Sequence, residues 1–169
     1  MPRQSFETGF TLIELLITIT LVGIISAIAV PSFRDIIISN SVSFSRDQFF
    51  TVLVYSRTEA IKNGTSVTIC KSNDAATCAD SLDWDAGWLV FVDANQDGNL
   101  DSADRIVRSQ AGLEGEVTMT HAGGDDRITF ESRGLSLRGD GLMTFEHSAG
   151  SEYDRSVDLG VTGRAMKGT

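Results

Sequence analysis

The chain has 169 residues, with 14 Lys and Arg against 23 Asp and Glu for a formal charge of −9; it is long enough for one domain of ordinary size and too short for a large multidomain enzyme. Hydrophobic residues make up 41% of it, too many for a disordered chain, and 16 Gly against 2 Pro point to turns in a compact β-rich part rather than a Pro-rich linker. That average conceals two unlike segments. Between Phe10 and Phe33 the only charge is Glu14, whereas residues 34–169 hold 34 charged residues among 136 and carry −8. A domain of that sign offers no bulk basic surface to phosphate backbones or anionic lipid.

Phe10 to Val30 supplies 21 residues, enough at 1.5 Å per residue for a helix to cross a bilayer. A cleaved secretory signal has a shorter apolar core followed by a small-x-small site, whereas this run passes through Pro31 into more helical sequence. A plain uncleaved signal anchor is the simplest reading, and two residues argue against it. Glu14 lies five residues into the run, where a carboxylate at mid-helix costs about 2.5 to 3.5 kcal/mol and less near the helix end, so it calls for a partner. Gly9 stands directly before the run, at the end of the short polar leader Met1 to Thr8.

With those residues in place, GFTLIELLITITLVGIISAIAVPSF resembles the class III signal of type IV prepilins and type II secretion pseudopilins. The resemblance implies a leader over 1–9, removed by a prepilin peptidase that cuts after Gly9 and methylates the new amino terminus at Phe10. It further implies that Glu14 pairs with the terminal amine of a neighbouring subunit during assembly, and that Pro31 stands where many pilins carry a kinking proline. The pairing is physically sensible, because a buried ammonium and a buried carboxylate each cost several kcal/mol alone and recover much of it only together.

Beyond the membrane half, 10–33, the segment 34–64 repeats Val42, Phe49, Leu53 and Ala60, with Phe50 and Ile61 beside them, at offsets of three, four and seven. These spacings predict an amphipathic helix running to Asn63 and ending at Gly64. Its β-branched and serine content makes it a mediocre helix by propensity, so a sheet must pack on the apolar stripe. The phrase YSRTEAIKNG from Tyr55 is similar to the helix end of the GspH/FimT family, which includes minor pilins of the FimU type. Arg57, Glu59 and Lys62 within it are expected to be solvated.

From 65 to 169 the pattern changes to short alternating stretches: TSVTIC, GWLVFVD, DRIVRS, EVTMTH, DRITFES, LMTFEH and SVDLGVTG. They read as strands separated by turns. One long helix followed by such strands predicts an α+β fold, with antiparallel sheet on the helix's carboxyl-terminal half; the resemblance implies the pilin fold, with two small sheets there.

Cys70 and Cys78 have a loop-sized spacing, and neither His121 nor His147 stands near enough in sequence to make a metal pattern. In an exported domain they pair; in the cytosol they would be idle thiols. The stretch DANQDGNLDSAD puts Asp93, Asn95, Asp97, Gly98, Asn99, Asp101 and Asp104 at positions one, three, five, six, seven, nine and twelve of an EF-hand loop, the spacing that wraps oxygens around calcium. Asp at position twelve is shorter than the usual Glu, and the flanks look like strands rather than helices. The other reading is a polar hairpin loop whose Asp, Asn and Gly accept turn dihedrals; the flanks favour it, and calcium stays open as the alternative cofactor.

Trp84 and Trp88 fit core packing better than an aromatic ligand platform. No nucleophile elbow, P-loop or zinc motif is present, and no catalytic residues are assigned. In the tail, Arg164 and Lys167 sit where DNA-binding relatives carry a Gly-Arg-x-Arg-like pattern, but Met166 takes the place of the second arginine. Two cations beside a −8 domain attract phosphate weakly, so DNA binding is disfavoured. The resemblance as a whole implies a non-enzymatic minor pilin of a type IV pilus, at its tip or initiating complex, with a type II secretion pseudopilin as the alternative and a DNA-binding pilin as the second. Its implied partners are prepilin peptidase, other minor and major pilins, the assembly platform and the inner membrane, which it would cross once with the carboxyl-terminal domain in the periplasm.

Overall fold

The computed structural model describes residues 9–168; most of the leader expected over 1–9 lies outside them. Helix α1 runs Leu12–Asn63, with Pro31 inside it. Among the described residues nine strands follow: β1 (Ser66–Lys71), β2 (Gly87–Asp93), β3 (Arg105–Ala111), β4 (Val117–His121), β5 (Arg127–Phe130), β6 (Ser136–Arg138), β7 (Gly141–His147), β8 (Arg155–Leu159) and β9 (Ala165–Gly168). Short 3-10 turns lie at Trp84–Ala86 and Ser151–Tyr153. The chain forms two compact units, 1–37 and 38–169.

In the first unit the helix exposes its apolar side chains, among them Leu12, Leu16, Leu21, Ile24 and Ile28. It is long and apolar enough to cross a membrane, and none of its most apolar stretch is buried. Three threonine and serine hydroxyls on it, Thr18, Thr20 and Ser32, are satisfied by carbonyls three or four residues back, which removes the cost of carrying them into an apolar medium.

In the second unit the strands make two antiparallel sheets, one ordered β3-β2-β1-β5-β6 and the other β4-β7-β8-β9. Val42, Phe49, Val52, Leu53 and Ala60 of α1 share one core with Val67, Ile69, Trp88, Val90, Ile128 and Phe130 of the first sheet and Met119, Met143, Phe145, Val157 and Leu159 of the second. Phe49 is its centre, edge-on to Trp84 and Trp88 at 5.8 and 5.1 Å. This supplies the packing that the mediocre helix propensity requires. Ile61, expected on the apolar stripe, is instead exposed.

β1 and β2 are buried at every position because both faces of the first sheet are covered. Cys70, Leu89 and Phe91 form a second cluster on the outer face, capped by Cys78 and Leu100 from the two loops that cross it. All seven expected strands are present. β6 and β9 were not among them: β6 is three residues long, too short for an alternation to register, and β9 lies in what read as a tail. The stretch from Ser156 ends as a strand at Leu159, and a turn over 160–164 leads into β9, with Gly163 N–H donating to the Gly160 carbonyl at 2.8 Å. The helix ends as expected, with Gly64 N–H donating to the Ala60 carbonyl at 3.0 Å.

Candidate functional site

The head of α1 is built by its first residues. Thr11 stands just before the helix, and its Oγ1 accepts the backbone N–H of Glu14 at 3.2 Å, while its carbonyl accepts from Leu15 N–H at 3.1 Å. Thr11 and Glu14 are thus the first and last residues of an N-terminal capping pattern. The T-x-x-E spacing at 11–14 carries that signal in the sequence, although Glu14 drew attention for its charge. A carboxylate in the first turn also meets the positive end of the helix dipole. Gly9 and Phe10 precede the cap in non-helical backbone, with Phe10 75% exposed. In 38–169 the other sequence-derived residues are dispersed and do not converge on a single centre.

Cys70 and Cys78 are joined in a disulfide, Cα to Cα 5.6 Å, as expected for an exported domain. The loop they close is held by Asp74, whose carboxylate accepts from Ala76 N–H, Thr77 N–H and Thr77 Oγ1 at 2.9, 2.8 and 2.7 Å. Those bonds, the Thr77 hydroxyl first, hold its carboxyl well below the usual range.

The acidic loop joins β2 to β3. Asp97 N–H bonds Asn95 Oδ1, Asn99 N–H bonds Asp97 Oδ1 and Ala103 N–H bonds Asp101 Oδ1, at 3.3, 2.7 and 2.7 Å. Asp104 accepts from Ala94 N–H and Asp101 N–H, both at 2.9 Å. Gly98 has φ +76° and gives its N–H to Asp93 Oδ2 at 2.8 Å. Asp93 is wholly buried, and burial pushes its carboxyl above the usual range against the backbone bonds that lower it. Among the described residues no group of three or more His, Cys, Asp or Glu side chains is gathered as a ready ligand set. The loop therefore has the bonding of a polar turn, and its strand flanks are confirmed.

Trp84 and Trp88 are buried, with Trp84 Nε1 donating to the Asp125 carbonyl at 3.0 Å; they are core residues. His121 Nδ1 accepts Asp125 N–H at 3.1 Å, a turn-closing bond. Arg57 corrects the expectation of solvated charges at the helix end: its Nε donates to the Gly134 carbonyl at 3.0 Å and its Nη2 to the Thr162 carbonyl at 3.4 Å. Glu59 and Lys62 pair with one another at 3.1 Å. In the tail Arg164 is exposed, while Lys167 is ion-paired with Asp47 at 3.0 Å and is not a free cation.

Residues 46–163 match the family described as type II transport protein GspH. The chain belongs to the GspH family. Residues 5–30 match the prokaryotic N-terminal methylation motif, so this GspH-family chain carries both halves of a pilin. Among curated proteins it is 28% identical over 152 residues to the type IV major fimbrial protein FimA of Dichelobacter nodosus, covering 89% of this chain and 91% of that one. Among solved structures it resembles the type IV minor pilin FimU of Pseudomonas aeruginosa, with TM-score 0.59 and 18% identity over 77% of this chain and 90% of that one. It also resembles the minor pseudopilin EpsH of the Vibrio cholerae type 2 secretion system, with TM-score 0.53 and 12% identity over 76% and 97%. At those identities the likenesses establish the pilin fold. This GspH-family chain is a type IV pilin-like structural protein and not an enzyme, in keeping with its family. Its family is one of subunits that assemble with other pilins.

Proposed function

We propose that this chain is a minor pilin that prepilin peptidase cuts after Gly9 and methylates on Phe10, and that it enters a type IV pilus near the tip or in the initiating complex. Before assembly it crosses the inner membrane once, with the β-rich domain in the periplasm, and the assembly platform draws it into the filament. The observation that carries this reading is the order of the first residues: Gly9, Phe10 and Glu14 stand in that register at the head of a helix whose apolar side chains as far as Ile37 are all exposed. Such a surface is stable only in lipid or against other apolar helices. In a filament Glu14 meets the terminal amine of a neighbour, and the pair selects the stagger between subunits.

The test is the intact mass of the protein from cells with and without the peptidase. Peptidase-dependent loss of Met1 to Gly9, with one methyl group added to Phe10, supports the reading; an uncut chain refutes it. A second reading, the secretion pseudopilus, is favoured by the match of 46–163 to the GspH family. Deletion of the gene separates the two: lost pili with normal secretion supports the pilus, and the reverse supports the pseudopilus.

A further inference from the structure

The first sheet ends on β3, and one side of that strand has no neighbouring strand. Five of its seven residues are exposed. Among the described residues no hydrogen bond reaches the backbone of Arg105–Ala111 except through the ladder with β2, so a row of N–H and C=O groups is left to water. Two other sheet edges are closed: Ser136 N–H of β6 donates to the Val161 carbonyl at 3.0 Å, and Arg46 Nη1 donates to the Gly168 carbonyl of β9 at 3.2 Å. An open edge is a template for a further strand, and proteins blunt it with charge and bulges. β3 has both, in Arg105, Arg108 and the register shift that leaves Val107 unmatched to β2.

Those devices discriminate between strands. Arg105, Arg108 and Gln110 stand opposite Val92, Val90 and Trp88 of β2, which belong to the core, so all three lie on the side of β3 that faces α1. The Arg108 guanidinium is 5.5 Å from the centre of the Tyr55 ring on the helix, and among the described residues no carboxylate is ion-paired with either arginine. Two unpaired cations on one edge strand repel a second copy of that strand and attract an acidic one. Past Arg108 the strand borders a cleft walled by Ser41, Phe44 and Gln48 of α1 and by Gln110 and Glu114. Phe44 is exposed there, and among the described residues the side-chain amides of Gln48 and Gln110 have no hydrogen-bond partner. A primary amide offers both a donor and an acceptor, which suits it to a peptide backbone.

We propose that β3 is a strand-accepting edge and that its occupant is an extended acidic segment of a neighbouring pilin subunit. Main-chain bonds along β3 supply the affinity, as in other cases of strand addition. Arg105 and Arg108 meet the acidic side chains, and Gln48 and Gln110 hold the backbone where the segment leaves the edge beside Phe44. The extended form follows from the open ladder and the acidic character from the two unpaired arginines. That the donor is a pilin subunit rests on the filament reading; the preference for an acidic strand does not.

The full chain, purified in detergent, is titrated with a fluorescein-labelled seven-residue peptide, the length of β3, in which glutamate alternates with threonine. Saturable binding is expected, with slowed hydrogen exchange at the amides of Arg105–Ala111. Replacing each glutamate by lysine, or the central residue by proline, should weaken binding by about tenfold or more, the first through charge and the second through the lost N–H. Arg105→Ala with Arg108→Ala should weaken it by about as much while the domain still melts cooperatively; Arg108→Gln alone serves if the double variant does not fold. No saturable binding, parental affinity for the lysine or proline peptide or in the folded variant, or equally tight binding of single-stranded DNA would each overturn the proposal. In sheared pili, a benzophenone side chain placed at the exposed Ser109 should cross-link to an acidic segment of another pilin. A chain present in pili whose cross-links fall elsewhere overturns the choice of donor, whereas a chain absent from pili refutes the filament reading and leaves the titration to decide the edge.

Discussion

Lys167 Nζ stands 3.0 Å from Asp47 Oδ1 and 4.8 Å from the centre of the Phe50 ring, so the last strand is fastened to the helix by its own cation. Burial pushes the Asp47 carboxyl up, but its bonds to Lys167 and Arg46 outweigh that and hold it below the usual range. The pair is partly exposed. Lys167→Ala should therefore lower the stability of the full chain by only about 1 kcal/mol or less in urea unfolding. The same change should leave DNA affinity at physiological salt unaltered in a filter-binding assay.

Glu14→Ala should act elsewhere. The backbone bond to Thr11 does not involve the Glu14 side chain, so the helix start and the domain over 38–169 keep their unfolding midpoint. Filament incorporation, read by immunoblot of sheared pili, should drop severely; normal incorporation would remove the proposed pairing.

Arg57 joins the β5–β6 turn to the β8–β9 turn from the helix. Arg57→Ala strips a charged donor from a part-buried carbonyl and should cost about 1.5 to 3 kcal/mol. Beside it, Gly163 has φ +70°, and a Cβ there would fall on the Gly134 carbonyl oxygen. Gly163→Ala should thus be at least as harmful, measured by thermal melting of the full chain.

Replacing Cys70 and Cys78 together by serine frees a loop of sequence separation 8. Chain-entropy reasoning gives a loss of about 2 to 3 kcal/mol, which chemical denaturation with and without reductant would show. The parent should lose stability on reduction, and the double variant should not respond.

Lys71 Nζ lies 2.7 Å from Asp126 Oδ1, and that hydrogen bond holds the Asp126 carboxyl below its usual range. A depressed folded-state value contributes stability that is present above the unfolded pKa near 3.8 and is lost as pH falls from there toward the folded value. Urea midpoints should decline below about pH 4, and Asp126→Asn should flatten part of that slope. Asp74 acts in the same direction, while Asp93, pushed up by burial, acts in the opposite one.

The sequence already contained the helix, its Gly64 stop and seven of the nine described strands, because the helix and these strands keep one periodicity along their length. Less of the local bonding was legible. Arg57 belongs to a charged phrase typical of solvated helix ends, and only its two loop carbonyls, 77 and 105 residues away, give it a partner. β9 turns Met166 outward and Lys167 onto the helix in a mixed-polarity stretch, and pairing with β8 rather than pattern makes it a strand. Asp93 reads as one more loop acid until burial singles it out.

The strand orders have a consequence for how the domain comes apart. After β3 the chain leaves the first sheet to begin the second with β4, returns to set β5 and β6 beside β1, and only then completes the second sheet with β7 to β9. Neither sheet is a continuous piece of chain, so neither can peel away while the other stays whole. The domain over 38–169 should consequently melt in one cooperative step, and a cut within the β4–β5 connection would divide the strands of both sheets at once.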